Sequence, residues 1–211
     1  MSDSIVEKSI LSSGFQYLQP FFYNHPYSVR CELGIGDDAE TYMQAANRRA
    51  LEIYRILFPK GADAMFFDNW LYDDCPSEDT ETEQRKFMLR FQRQYRHAVV
   101  ENLKGHEHDE ADDSFVGRSR VICYSDGKGF DAENIICGQI EDQSKPLVSF
   151  VSFDGEFILS VYDDRGCDVV FMTPQAFAAR YGSLEPYFLE YDRELMQSRL
   201  DAITGKGKDD K

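Results

Sequence analysis

Residues 147–171 read Leu-Val-Ser-Phe-Val-Ser-Phe-Asp-Gly-Glu-Phe-Ile-Leu-Ser-Val-Tyr-Asp-Asp-Arg-Gly-Cys-Asp-Val-Val-Phe. Three apolar runs, Leu147 to Phe153, Phe157 to Tyr162 and Asp168 to Phe171, are separated by the turn formers Asp154-Gly155 and Asp164-Arg165-Gly166. Short runs rich in Val, Ile and Phe, punctuated by Asp and Gly, predict a three-stranded antiparallel meander. Neighbours in a strand point to opposite faces, so the apolar pairs Phe150-Val151 and Ile158-Leu159 predict a sheet covered on both sides. Phe150, Val151, Ile158, Leu159, Val161 and Val169 are the expected sheet centre. Ile53, Leu57, Phe91 and Leu195 are expected to pack on it from helices.

Upstream, residues 27–34 alternate Val29, Cys31 and Leu33 with Ser28, Arg30 and Glu32, the pattern of a strand with one wet face. Gly34-Ile35-Gly36 breaks it, and Asp37-x-x-Glu40 has the form of a capping box. Met43, Ala46, Ala50, Ile53 and Leu57 then trace one buried helical stripe, stopped by Pro59 and Gly61. A second strand follows from Ala64 to about Tyr72. Strand, helix and strand with short links predict a βαβ unit with a parallel crossover. Thr80-x-x-Glu83 predicts a long helix to about Lys104, with Phe87, Phe91, Tyr95, Ala98 and Leu103 inward. Residues 106–114 carry one hydrophobic side chain, Ala111, and predict a mobile acidic loop near 105–115. Further on, Arg120–Tyr124 reads as a strand, and Asp131–Gln139 as a short helix. Thr173-Pro174 reads as the N-cap and first residue of another helix. Leu184, Phe188, Tyr191 and Leu195 mark a last helix, and 204–211 is a polar tail. The expected class is α+β: an α/β-like N-terminal βαβ unit in a mixed sheet, ending in the meander and covered by helices. The whole is read as a single globular domain, 1–211.

The chain has 211 residues, 42% hydrophobic and 14% aromatic, enough core material to exclude disorder. No apolar stretch approaches the ~20 residues of a membrane span, and no basic start followed by an apolar block marks a signal peptide. Five scattered cysteines (Cys31, Cys75, Cys123, Cys137, Cys167) without a Cys-x-x-Cys argue for reduced thiols in a cytoplasmic protein. Asp and Glu number 38 against 23 Lys and Arg, a net charge of −15. That disfavours direct binding to nucleic acid, whose affinity rests on neutralising phosphates.

Tyr162-Asp163-Asp164-Arg165-Gly166-Cys167-Asp168-Val169, with Tyr191-Asp192-Arg193-Glu194 further on, resembles a bacterial domain family of unknown function that carries a YDDRG-x-D signature. Arg30-Cys31-Glu32-Leu33-Gly34 and Arg49-Ala50-Leu51-Glu52-Ile53 are similar to the front of that family, so the resemblance spans roughly residues 27–200. The family tends to have a bulky aliphatic residue or Met at Cys167, and Trp where this chain has Tyr187 and Phe188. Both departures read as packing substitutions. The resemblance brings no catalytic role with it.

Asp163, Asp164, Arg165, Asp168 and Arg193 are the candidate binding residues. Carboxylates gathered on one hairpin suit Mg²⁺ or general acid–base work. The structural alternative makes Asp-Arg-Gly the turn, gives Gly166 a positive φ, and pairs Arg165 or Arg193 with a buried Asp. A turn alone needs neither Asp163 nor Asp168. The other candidates are weaker. His106, His108, Asp109, Glu110, Asp112 and Asp113 have metal-ligating types but lie in one polar run, which reads as a solvated loop. Lys86, Arg90, Arg93, His97 and Lys104 form a basic stripe at helical spacings, which could receive a nucleic acid or phosphate but is read as a wet face or as compensation for the acidic loops. Gly34-Ile35-Gly36 lacks the third glycine of a dinucleotide loop, and Asp37-Asp38 would repel a pyrophosphate.

No nucleophile elbow, zinc-protease or Walker pattern is present, so no catalytic residue, metal or cofactor is assigned. The expected function is non-catalytic: an immunity or antitoxin-like protein whose acidic surface sequesters a basic toxin, such as a nuclease. The alternative is a small enzyme or ligand-binding domain using the Asp163–Asp168 hairpin with Mg²⁺ or a phosphate-bearing ligand. A third reading is an adaptor that docks through the basic stripe.

Overall fold

The computed structural model describes residues 4–12, 21–72, 86–87, 89–101, 103, 115–127, 129–142 and 147–205. The Thr80–Glu83 capping box, the acidic loop at 106–114 with its histidines, Lys104 and residues 206–211 of the tail lie outside them. The elements are α1 (Ile5–Leu11), α2 (Phe21–Asn24), β1 (Ser28–Glu32), α3 (Ala39–Leu57), β2 (Ala64–Tyr72), β3 (Arg96–Val100) and β4 (Phe115–Tyr124). They continue with α4 (Ala132–Glu141), β5 (Val148–Ser152), β6 (Phe157–Val161), β7 (Gly166–Phe171), α5 (Pro174–Leu184) and α6 (Arg193–Thr204). Two 3₁₀ turns, Glu185–Tyr187 and Glu190–Asp192, join the last two helices.

The class is α+β, built on a seven-stranded sheet of order β1-β7-β6-β5-β2-β4-β3. The meander β5-β6-β7 forms as its turn chemistry predicts. Every pairing in the sheet is antiparallel, so directions alternate and β1 and β2 run parallel to each other. They are not neighbours, because the meander is inserted between them. The strand–helix–strand unit is therefore present without a parallel ladder.

The edge strand β3 is largely exposed, while both faces of the sheet's centre are covered. One carries Phe150, Leu159, Val161 and Val169 against Ile53 and Leu57 of α3, Ile136 of α4, Phe177 of α5, Met196 of α6, and Phe91. The other carries Val151, Ile158 and Val170 against Val6 and Ile10 of α1, and Phe21. Thr173 caps α5 through the Ala176 amide, with Pro174 following it.

Four local expectations need correction. Asp38, not Asp37, caps α3, accepting from the Glu40 and Thr41 amides. The helix carrying Phe87 and Phe91 ends at Gln94, and residues 96–100 form edge strand β3 against β4. Ala98-Val99-Val100 suits a pleated surface, and the partner strand supplies the hydrogen bonds that a helix would otherwise have made. His97 therefore leaves the basic stripe. Leu195 is 40% exposed while Met196 is buried, because the two 3₁₀ turns reset the helical phase before α6. Gly166 has a φ outside the left-handed region. Glycine is required there by close approach: a Cβ would meet the Tyr162 hydroxyl at 2.2 Å and the Cys31 carbonyl oxygen at 2.8 Å.

Candidate functional site

The YDDRG stretch contributes to two separate arrangements. At the turn, Asp163 Oδ1 accepts from the Arg165 amide at 2.8 Å, and its Oδ2 accepts from the Arg165 guanidinium. A carboxylate bonded to the amide two residues on is a local turn device, so Asp163 serves the turn after all. Arg165 is otherwise exposed. The Arg165 carbonyl takes the Leu33 amide at 2.9 Å and ties the turn to the end of β1. Asp164 is half-buried beside Tyr42. Burial first, then the charges of Asp164 and Asp163, pushes the Tyr42 phenol up.

Asp168 belongs to the second arrangement. It stands opposite Arg30 in the β1–β7 register, so the strand pleat brings the two side chains to the same face. Arg30 Nε and Nη2 donate to Oδ1 and Oδ2 at 2.9 and 3.1 Å, and the Phe22 amide donates to Oδ2 at 3.0 Å. Asp168 is 1% exposed and the Arg30 side chain 11%. Burial pushes the Asp168 carboxyl up, against the pull of Arg30 and the Phe22 amide. Burial also works against the Arg30 charge, and the Asp168 carboxylate overcomes it, so the guanidinium pKa rises. The guanidinium carbon lies 5.1 Å from the Phe22 ring centroid, 4.8 Å from that of Tyr23 and 5.8 Å from that of Tyr162, an aromatic enclosure that suits a delocalised cation. The wet face expected of β1 is closed over Arg30.

Asp192 is the third member of this cluster. It is buried, 3.8 Å from Arg30 Nη1, and accepts from the Tyr23 hydroxyl at 3.2 Å. Arg199 of α6 completes the seam by donating to Ser28 Oγ at 2.9 Å and to the Phe22 carbonyl at 3.2 Å. Arg193 points elsewhere. It pairs with Glu190 at 2.6 Å and Glu185 at 3.6 Å, and is 35% exposed. Asp163, Asp168 and Arg193 thus do not converge on one cleft. Arg30 is the partner of Asp168, and Asp192 shares the same guanidinium. The signal that could have found Arg30 is a charged residue at a strand position facing a buried aspartate across the sheet, but the register of β1 was needed to see it.

This seam joins α2, β1, β7 and α6, and the Asp168 oxygens are already committed to Arg30 and Phe22. Among the described residues, no three His, Cys, Asp or Glu side chains are grouped to hold a metal ion. A second buried ion pair lies on β2 and β4, where Arg120 Nε and Nη2 donate to Asp68 at 2.6 and 2.8 Å over the Phe66 ring. The Cys31 and Cys167 thiols face each other across β1 and β7. Their hydrogen bond and burial push the Cys167 thiol well up, and burial pushes Cys123 up to about 12, which keeps Cys167 and Cys123 protonated and inert.

A family model described as Domain of unknown function (DUF3885) matches residues 8–192. The chain belongs to that family. The matched span includes β1, the meander and all the residues of the Arg30–Asp168–Asp192 cluster. No curated protein and no solved structure matches the chain. Among the described residues, no helix is long and apolar enough to cross a membrane.

Proposed function

We propose that the protein is a non-catalytic binding protein of the immunity or antitoxin kind, which sequesters a basic protein partner in the bacterial cytoplasm. The observation that carries this reading is the net charge of −15. A surface of that sign complements a cationic, nucleic-acid-binding partner such as a nuclease toxin and speeds its capture. The candidate carboxylates support the reading from the other side. Asp163 and Asp168 are held by Arg165, Arg30 and backbone amides, so their role in the fold is accounted for without chemistry on a substrate.

A face with the right composition surrounds the second 3₁₀ turn. Tyr191 is 87% exposed, next in the chain to Glu190, which pairs with Arg193, and three residues before the exposed Glu194. An exposed tyrosine with the exposed Glu194 further along is a suitable anchor for a basic surface. The test is co-expression with a basic effector encoded beside this gene. Growth should be restored by the wild-type chain, and a Tyr191→Ala, Glu194→Lys variant should protect less well. Cells that stay as sick with the wild-type chain as without it would rule the proposal out.

A further inference from the structure

A cavity of about 150 Å³ lies between the helical residues 89–94 and α4. Phe87, Phe91, Tyr95 and Ile135 contribute its apolar walls, and Arg90, Gln94, Asp131, Asn134 and Gln139 its polar ones. Gln139 is 3% exposed, and neither its amide oxygen nor its amide nitrogen has a hydrogen-bond partner. Buried polar groups are normally satisfied, and leaving both ends of a primary amide unpaired is costly. Gln139 therefore presents an unpaired donor and acceptor side by side, at the wall of a cavity whose apolar side is formed by Phe87, Phe91, Tyr95 and Ile135.

The complement of that edge is another amide-like edge, with a donor next to an acceptor. Aromatic walls favour a flat ring: Phe87 and Phe91 have centroids 4.7 Å apart, and Phe91 and Tyr95 are stacked at an interplanar angle of 19°. A volume of this order takes one six-membered ring. A neighbouring cavity shares Arg90 and Gln94 with this one, and is also bounded by Lys86 and Arg93. These three cations sit at helical spacings of four and three, on one helix face. An anionic group attached to the ring would meet them at the mouth.

We propose that this cavity binds a pyrimidine nucleotide, with the adjacent donor and acceptor of the base edge on Gln139, its ring against Phe87, Phe91 and Tyr95, and its phosphate on Lys86, Arg90 and Arg93. The site is independent of the protein partner proposed above.

The test is calorimetric titration of the full chain with uridine monophosphate, cytidine monophosphate, uridine, adenosine monophosphate and inorganic phosphate. A pyrimidine monophosphate should bind saturably, the nucleoside should bind about tenfold or more weakly, and phosphate alone should not compete at equal concentration. Gln139→Leu should lose pyrimidine binding by about tenfold or more while melting at or above the wild-type temperature, because an unpaired buried amide has been removed. If Gln139→Leu does not fold, Ile135→Phe, which fills the cavity from its wall, carries the same expectation for binding. Lys86→Ala with Arg90→Ala should weaken the nucleotide and leave the nucleoside unchanged. No pyrimidine binding up to ~10 mM, purine binding as tight as pyrimidine, phosphate binding as tight as the nucleotide, or unchanged affinity in folded Gln139→Leu would each overturn the proposal. So would a crystal structure of the nucleotide-soaked protein in which only water meets the Gln139 amide.

Discussion

Replacing Arg30 by methionine keeps the apolar stem and removes the fork that Asp168 is built to accept. Two hydrogen bonds are lost, at 2.9 and 3.1 Å, and a carboxylate that is 1% exposed is left with the Phe22 amide. Breaking a buried pair from one side costs about 3–5 kcal/mol, because the remaining charge keeps its desolvation penalty without its partner. Stability is about 5–15 kcal/mol for a domain, so a large share is at stake. For a chain of this length the loss corresponds to a fall in melting temperature of about 6–20 °C.

The pH dependence identifies the cause. Burial already raises the Asp168 carboxyl above its ordinary value of 3.8, and loss of Arg30 raises it further. A carboxyl with a raised pKa holds its proton more tightly when folded than when unfolded. The variant therefore regains stability as pH falls through the raised value toward 3.8, and the gap to wild type narrows in acid. Urea unfolding across a pH series measures both effects. Arg193→Met is the control: its ion pairs are with exposed Glu190 and Glu185 and should contribute less than ~1 kcal/mol. If the two variants unfolded at the same urea concentration, or if the Arg30→Met deficit were the same at every pH, the buried-pair argument would be wrong.

Leu159→Ala, at the fully buried centre of β6, should cost about 2–5 kcal/mol by leaving a cavity, whereas Leu195→Ala on the exposed side of α6 should change stability by less than ~0.5 kcal/mol; equal denaturation midpoints would undo the two-face assignment. Gly166→Ala should destabilise by about 1–3 kcal/mol through overpacking, and Tyr162→Phe in that background should recover only part of the loss, since the Cys31 carbonyl at 2.8 Å is backbone and cannot rotate away. Hydrogen bonds from the Thr41 amide and hydroxyl lower the Asp38 carboxyl below 3.8, so its contribution is present above that value and lost as pH falls through the lowered one. Asp38→Ala should accordingly melt below wild type at neutral pH and together with it in strong acid, as followed by thermal melts at several pH values.

Chain-local chemistry was legible from residue order alone. The meander, the buried stripe of α3 from Ala46 to Leu57, and the Thr173-Pro174 start of α5 all rest on side-chain period and turn or cap geometry, which act over a few residues. Readings failed where a distant partner outweighed the local pattern. Residues 96–100 continue a helical spacing from Phe87, yet they become a strand because β4 offers a ladder to complete. Met196 displaced Leu195 from the core because two short turns changed the phase of the last helix.

The candidate site divides the same way. Asp163 and Arg165 could be read as a turn because their bonds span two residues. Arg30 and Asp168 are 138 residues apart, and a slip of one residue in the register of β1 against β7 would turn Arg30 to the opposite face. Gln139 reads in sequence as an ordinary polar residue of a helix, and only the packing of α4 beside Phe91 leaves its amide buried without a partner. Composition and periodicity determined the meander, the buried stripe of α3 and the start of α5. Tertiary structure decided which charges meet and which polar group is left unsatisfied, because both depend on register and packing between segments far apart in the chain.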